Sequence, residues 1–128
     1  MKIKGISTCF YTSDVAACRM FYCQYFSAHV MFECDWYVVL AMNEAGAELC
    51  FMQPQDDSPR HNGQGVMLNV HVDDVDGEYV RLQQLGLSVA HPPVSNPWGD
   101  RSFTVSDPMG NRVYIYSLCD ISPEFVHQ

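Results

Sequence analysis

Six cysteines (Cys9, Cys18, Cys23, Cys34, Cys50 and Cys119), five histidines and fifteen carboxylates are the groups in this 128-residue chain with chemistry to offer. Thiolates act as nucleophiles and soft-metal ligands, imidazoles as general bases or metal ligands, and carboxylates as bases or hard-cation ligands. Their spacing argues for restraint. The cysteines form no C-x-x-C pair, and Cys50 has no neighbouring base or cation in sequence to activate it, so free thiols acting mostly as small core residues are expected. His29, His61, His91 and His127 fall in segments that read as loops or tail. Asp73, Asp74, Asp76 and Glu78 gather where a helix begins, a place that favours carboxylates through capping and the helix dipole. Asp56 and Asp57 read as solvating charges in a linker. Neither a nucleophile elbow, a phosphate loop nor a dinucleotide fingerprint occurs.

Composition narrows the partners. The length suits one domain, and 48% hydrophobic with 17% charged residues is a globular composition. A formal net charge of −8, with seven scattered Lys and Arg, argues against nucleic acid and mildly favours cationic ligands. No apolar run approaches the ~20 residues of a membrane helix, so no membrane partner is expected. Lys2 and Lys4 open the chain, yet Ile3 to Tyr11 alternates instead of forming a signal-peptide core. A cytoplasmic protein with reduced thiols is the expectation.

The elements that must position these groups come twice. Ile3 to Thr12 is strand-like, Ser13 or Asp14 can cap a helix over roughly 14 to 26, and Val15, Cys18, Phe21, Tyr22, Tyr25 and Phe26 share one helical face. Strands are expected near Val30–Phe32, Trp36–Met42 and Glu48–Gln53, with a turn at Asn43–Gly46. After a polar, Pro- and Gly-rich linker the order repeats. Val66 to Val72 is strand-like, Asp73-Asp74 can cap a helix carrying Val75, Tyr79, Leu82 and Leu85, and Gly86 stops it. Strands near Leu87–Ala90, Arg101–Val105 and Arg112–Leu118 follow, the last two joined by Asp107-Pro108-Met109-Gly110-Asn111, where Gly110 or Asn111 can take a positive φ. The reading is a single α+β domain of two tandem βαβββ modules, with module one about 1–53, linker 54–65, module two about 66–118 and tail 119–128. Each module puts a helix on one side of a small mixed sheet, and two such sheets can curl into a cleft with the helices outside.

The tryptophan loop Pro97-Trp98-Gly99-Asp100-Arg101 before a strand ending in Asp-Pro-x-Gly-Asn resembles the closing hairpin of the glyoxalase/bleomycin resistance protein/extradiol dioxygenase family, the vicinal oxygen chelate superfamily. The resemblance extends through Ile6-Ser7-Thr8, Phe21-Tyr22, Val70-His71-Val72-Asp73-Asp74-Val75-Asp76 and Leu85-Gly86. It implies the same tandem βαβββ fold. In metal-dependent members, four cleft strands each give one His, Gln or Glu. Carried over by motif, those positions are Ser7, Cys50, Met67 and Tyr114, which is no ligand set for Ni, Zn, Mn or Fe(II). Glu48 and His71 are the nearest displaced ligands, and a soft Cys50–Met67 pair can in principle hold Cu(I), though packing is the commoner use of two sulfurs.

If those four positions face the cleft, period-two alternation adds Cys9, Tyr11, Met52, Asn69, His71 and Tyr116 to the same wall. Trp36 and Trp98 supply flat surface near the rim, able to stack on planar or cationic groups. Bleomycin resistance proteins in this family lack a catalytic metal and bind a bulky cationic drug as homodimers. By that resemblance the chain is expected to be a metal-free, cofactor-free homodimer sequestering a small aromatic or cationic compound, the tail from Asp120 to Val126 adding partner surface. The competing expectations are a metal-dependent lyase, isomerase or dioxygenase using ligands such as Glu48 and His71, and a sensing or scaffolding module without a tight ligand.

Overall fold

The computed structural model describes residues 1–120 and 122–126; Ile121 and His127, named above in the tail, lie outside the described residues. The chain divides into two compact units, Met1–Gln64 and Gly65–Gln128. In the first, β1 (Thr8–Tyr11), α1 (Val15–Phe26), β2 (His29–Cys34), β3 (Tyr37–Ala41) and β4 (Glu48–Met52) follow in order. Its sheet runs β1-β4-β3-β2, with β1 parallel to β4 and the other pairs antiparallel. In the second, β5 (Met67–His71), α2 (Val75–Gln84), β6 (Val94–Ser95), β7 (Asp100–Ser106) and β8 (Arg112–Leu118) repeat that plan in the order β5-β8-β7-β6, with β5 parallel to β8. Both sheets are open. Among the described residues, no helix is long and apolar enough to cross a membrane.

Each helix covers one face of its own sheet. In module one Cys18, Phe21 and Tyr22 of α1 are buried together with Phe10, Val38, Leu40 and Phe51, and the Tyr22 and Phe51 rings stack 5.4 Å apart. In module two Val75 and Leu82 of α2 are buried with Phe103, Val105, Val113 and Ile115. Alternation along the strands then sends the residues in between to the opposite face, which carries no helix.

Matching local chemistry starts, stops and turns both modules. The Asp14 carboxylate accepts from the Ala17 N–H at 3.0 Å, and Asp74 accepts from the Gly77 N–H at 3.0 Å. Both helices close through a residue of positive φ, Ser27 at 56° and Gly86 at 90°. At the β3–β4 turn Asn43 Oδ1 accepts from the N–H groups of Ala45 and Ala47, and at the β7–β8 turn Asp107 Oδ1 accepts from Met109 and Asn111. Gly46 and Gly110 supply the left-handed step in these turns, at φ 97° and 81°.

The structure corrects one element. No strand forms over 87–90: the Leu87 N–H instead bonds to the Leu82 carbonyl at 3.0 Å and finishes the helix, a Schellman closure around Gly86. Pro92 and Pro93, which cannot donate to a ladder, then delay the strand to Val94–Ser95. The polar segment 54–65, which carries no helix or strand, packs on module one. Its His61 N–H donates to the Tyr11 carbonyl at 2.8 Å and its ring lies 4.9 Å from that of Phe10, so it covers the free edge of β1.

Candidate functional site

The helix-free face of the first sheet is built on the pairing of β1, β4 and β3. Cys9 stands opposite Cys50, which stands opposite Val39; one row along, Tyr11, Met52 and Tyr37 are aligned. Cys50 is buried and Cys9 exposed. The Cys50 thiol points to Ser7 Oγ at 4.0 Å. The Tyr37 hydroxyl is pushed up to about 12, first by its hydrogen bond with Cys50, then by burial and by the charges of Cys50, Cys9 and Glu48. Burial, with the Cys50 thiol beside it, also raises Cys9 above an ordinary thiol, so neither group is an activated nucleophile. Beside β1, a pocket of about 260 Å³ is lined by Cys9, Phe10, Tyr11, Pro59, Arg60 and His61.

The corresponding face of the second sheet is polar and aromatic. Here Asn69 stands opposite Tyr114, which stands opposite Thr104, and His71 stands opposite Tyr116, which stands opposite Ser102. The His71 and Tyr116 rings stack at 4.9 Å and 7°, forming a flat panel. Next to it the Tyr114 hydroxyl lies 2.9 and 3.0 Å from the two Asp100 carboxylate oxygens, and Asn96 Nδ2 donates to Asp100 Oδ1 at 2.8 Å. Asn96 also reaches Ser102 Oγ at 3.1 Å, so the carboxylate is fixed by a network while keeping acceptor capacity for a further donor.

The structure thus groups Ser7, Cys9, Cys50 and Met52 on one module's face, and Met67, Asn69, His71, Tyr114 and Tyr116 on the other's. The tryptophans sit in the loops beside these strands. Trp36 caps the β2–β3 turn with its ring 5.9 Å from Tyr37, and Trp98 sits in the loop before β7, edge-on to Phe125 at 6.3 Å. That contact, with the Ser122 N–H donating to the Pro97 carbonyl at 2.7 Å, folds the tail onto its own loop. Tyr37, Asn96, Asp100 and Ser102 are not among the site residues expected from the sequence. Tyr37 is legible in hindsight from its alternation with the buried Val38, whereas the Asp100–Tyr114 bond depends on strand register, which no local pattern states.

The four positions that hold a metal in metal-dependent relatives do not fit a hard or borderline divalent ion. Ser7 is engaged with a thiol, Cys50 with a phenol, Met67 offers only a thioether, and the Tyr114 phenol is committed to Asp100. Among the described residues, no three His, Cys, Asp or Glu side chains are grouped to hold a metal ion. Glu48 lies half-buried on β4, in module one, and His71 on β5, in module two.

A family model described as the Glyoxalase/Bleomycin resistance protein/Dioxygenase superfamily matches residues 6–115. No curated protein matches the sequence. Among solved structures, an antibiotic binding protein from a Streptomyces species is similar at 25% identity and a TM-score of 0.75, over 92% of this chain and 98% of that one. A glyoxalase/bleomycin resistance protein/dioxygenase from Nocardioides is similar at 19% identity and a TM-score of 0.75, over 94% and 86%. A lactoylglutathione lyase from Agrobacterium tumefaciens is similar at 24% identity and a TM-score of 0.70, over 91% and 96%. The last two likenesses speak to the fold alone.

Proposed function

The chain belongs to the glyoxalase/bleomycin resistance protein/dioxygenase superfamily, and from that premise we propose that it is a small-molecule binding protein that sequesters an aromatic or cationic compound, such as a bleomycin-like antibiotic, without a resident catalytic metal. The observation that carries this reading is the Asp100 carboxylate held by Tyr114 and Asn96 next to the His71–Tyr116 panel. A fixed carboxylate beside flat aromatic rings suits a planar cation: the rings stack on it and the carboxylate takes its charge or an N–H. The net charge of −8 steers cations toward the protein. The similarity to an antibiotic binding protein supports the same reading.

The function is binding, so the residues act by orientation and desolvation. Asn96, itself held by Ser102, and Tyr114 hold the carboxylate in place before a ligand arrives, which removes an ordering cost from association. We place the protein in the cytoplasm as a homodimer, a state supported by the sheet-edge strand β2, where Met31 and Phe32 are 63% and 53% exposed.

The test is a fluorescence titration with proflavine, a planar cation, and with metal-free bleomycin. We expect saturable binding of at least one at about micromolar Kd, near −8 kcal/mol, weakened roughly tenfold or more by Asp100→Asn and by Tyr116→Ala. Absence of binding by both compounds, or equal affinity in both variants, overturns the reading.

A further inference from the structure

We propose that Cys9 and Cys50 form a dithiol site for a single soft, thiophilic ion, Cu(I) being the biological example. Both residues are in register on adjacent parallel strands and share the helix-free face of the first sheet. Cys9 and Cys50 both belong to the compact unit Met1–Gln64.

The geometry favours an ion over a disulfide. Neighbouring strands lie about 4.8 Å apart. Two thiolates on opposite sides of an ion, each at a bond length of roughly 2.3 Å, need a sulfur–sulfur distance of about 4.6 Å. A disulfide needs Cβ atoms only ~3.8 Å apart, closer than an in-register ladder holds them. The surroundings suit a soft ion as well. Met52 places a thioether on the same face one row along, and Ser7 Oγ lies 4.0 Å from the Cys50 sulfur. Access comes from Cys9, which is exposed and borders the pocket of about 260 Å³ lined in part by Tyr11 and Arg60. A packing role accounts for the buried Cys50 but not for an exposed thiol set directly opposite it.

Binding is coordination without redox change. Two S–Cu bonds form, both thiol protons pass to solvent, and copper enters and remains as Cu(I). The cysteines belong to module one and Asp100 to module two, so each proposal is tested by its own variants.

The test is an anaerobic titration of the fully reduced chain with Cu(I) against a chromogenic Cu(I) chelator. One ion per chain should be withheld from the chelator, the affinity should fall at least ~100-fold in Cys9→Ser, and Cys119→Ser should leave it unchanged. Because Cys9 is exposed, its replacement does not disturb the core, and a dichroism spectrum matching the parent protein's verifies the fold. A folded Cys9→Ser chain that keeps the parent affinity, or equal copper binding by the Cys9/Cys50 double variant, overturns the proposal.

Discussion

Module one and module two share a scaffold and differ in what they display on it. Both run their strands in the same order, cap their helix with an aspartate three residues before the first satisfied N–H, and turn their central hairpin on an Asx side chain that binds two backbone N–H groups. The row Cys9–Cys50–Val39 in the first module answers to Asn69–Tyr114–Thr104 in the second. One face is sulfur-rich and weakly hydrogen-bonded; the other is a connected polar and aromatic network. Scaffold chemistry is local and backbone-directed, so it survives in both copies, while the helix-free face is open to divergence because little of the fold depends on it.

The turns offer the largest way to sharpen this comparison. In the second, Asp107 and Asn111 are buried, and Asn111 Nδ2 adds a bond to Asp107 Oδ2 at 2.9 Å; in the first, Ala47 stands in the place of Asn111 and the turn is exposed. Asp107→Ala leaves buried N–H groups unsatisfied and should cost about 2–3 kcal/mol in denaturant unfolding, against about 1 kcal/mol or less for Asn43→Ala. Equal losses would break the distinction between an anchored and a solvated turn.

The helix ends come next. Ser27 takes a left-handed conformation that Gly86 adopts without a steric penalty. Ser27→Gly should therefore stabilise by about 0.5–1 kcal/mol and Gly86→Ser destabilise by about 1 kcal/mol, both read from melting curves.

A pH effect should mark the first module's face. Tyr37 and Cys9 are both raised in the folded state, so the fold keeps protons that the unfolded chain has already lost. Their contribution is fully present below the unfolded values and is lost as pH rises toward about 12, the folded value of Tyr37. Tyr37→Phe should flatten the alkaline limb of a stability–pH profile.

The smallest effect is expected at Gly77. A Cβ there meets the capping carboxylate of Asp74 at 2.5 Å, yet Ala17 occupies the equivalent place in α1 with its cap intact. Helix propensity gained and cap strain incurred are each near 1 kcal/mol, so Gly77→Ala should shift unfolding by less than about 0.5 kcal/mol.

The same contrast explains what the sequence disclosed. Asp14, Asp74, Asn43, Asp107 and Gly110 act on backbone groups within four residues, so the helices, the turns and the tandem plan were legible. Within each sheet, Cys9 lies in register with Cys50, and His71 with Tyr116. What escaped were contacts set by register between distant strands: Tyr37 with Cys50, Asp100 with Tyr114, and His61 against β1. The strand expected over 87–90 failed for a local reason, since Gly86 draws Leu87 back to the helix before the prolines allow a strand.

The central claim, a ligand face that works without a resident catalytic metal, is tested most directly by elemental analysis of protein purified without an affinity tag and again after loading with Ni, Mn and Fe(II) and dialysis. The account predicts close to zero of these ions per chain. About one ion per chain, lost on Glu48→Gln or His71→Ala, would contradict it and identify a metalloenzyme with displaced ligands.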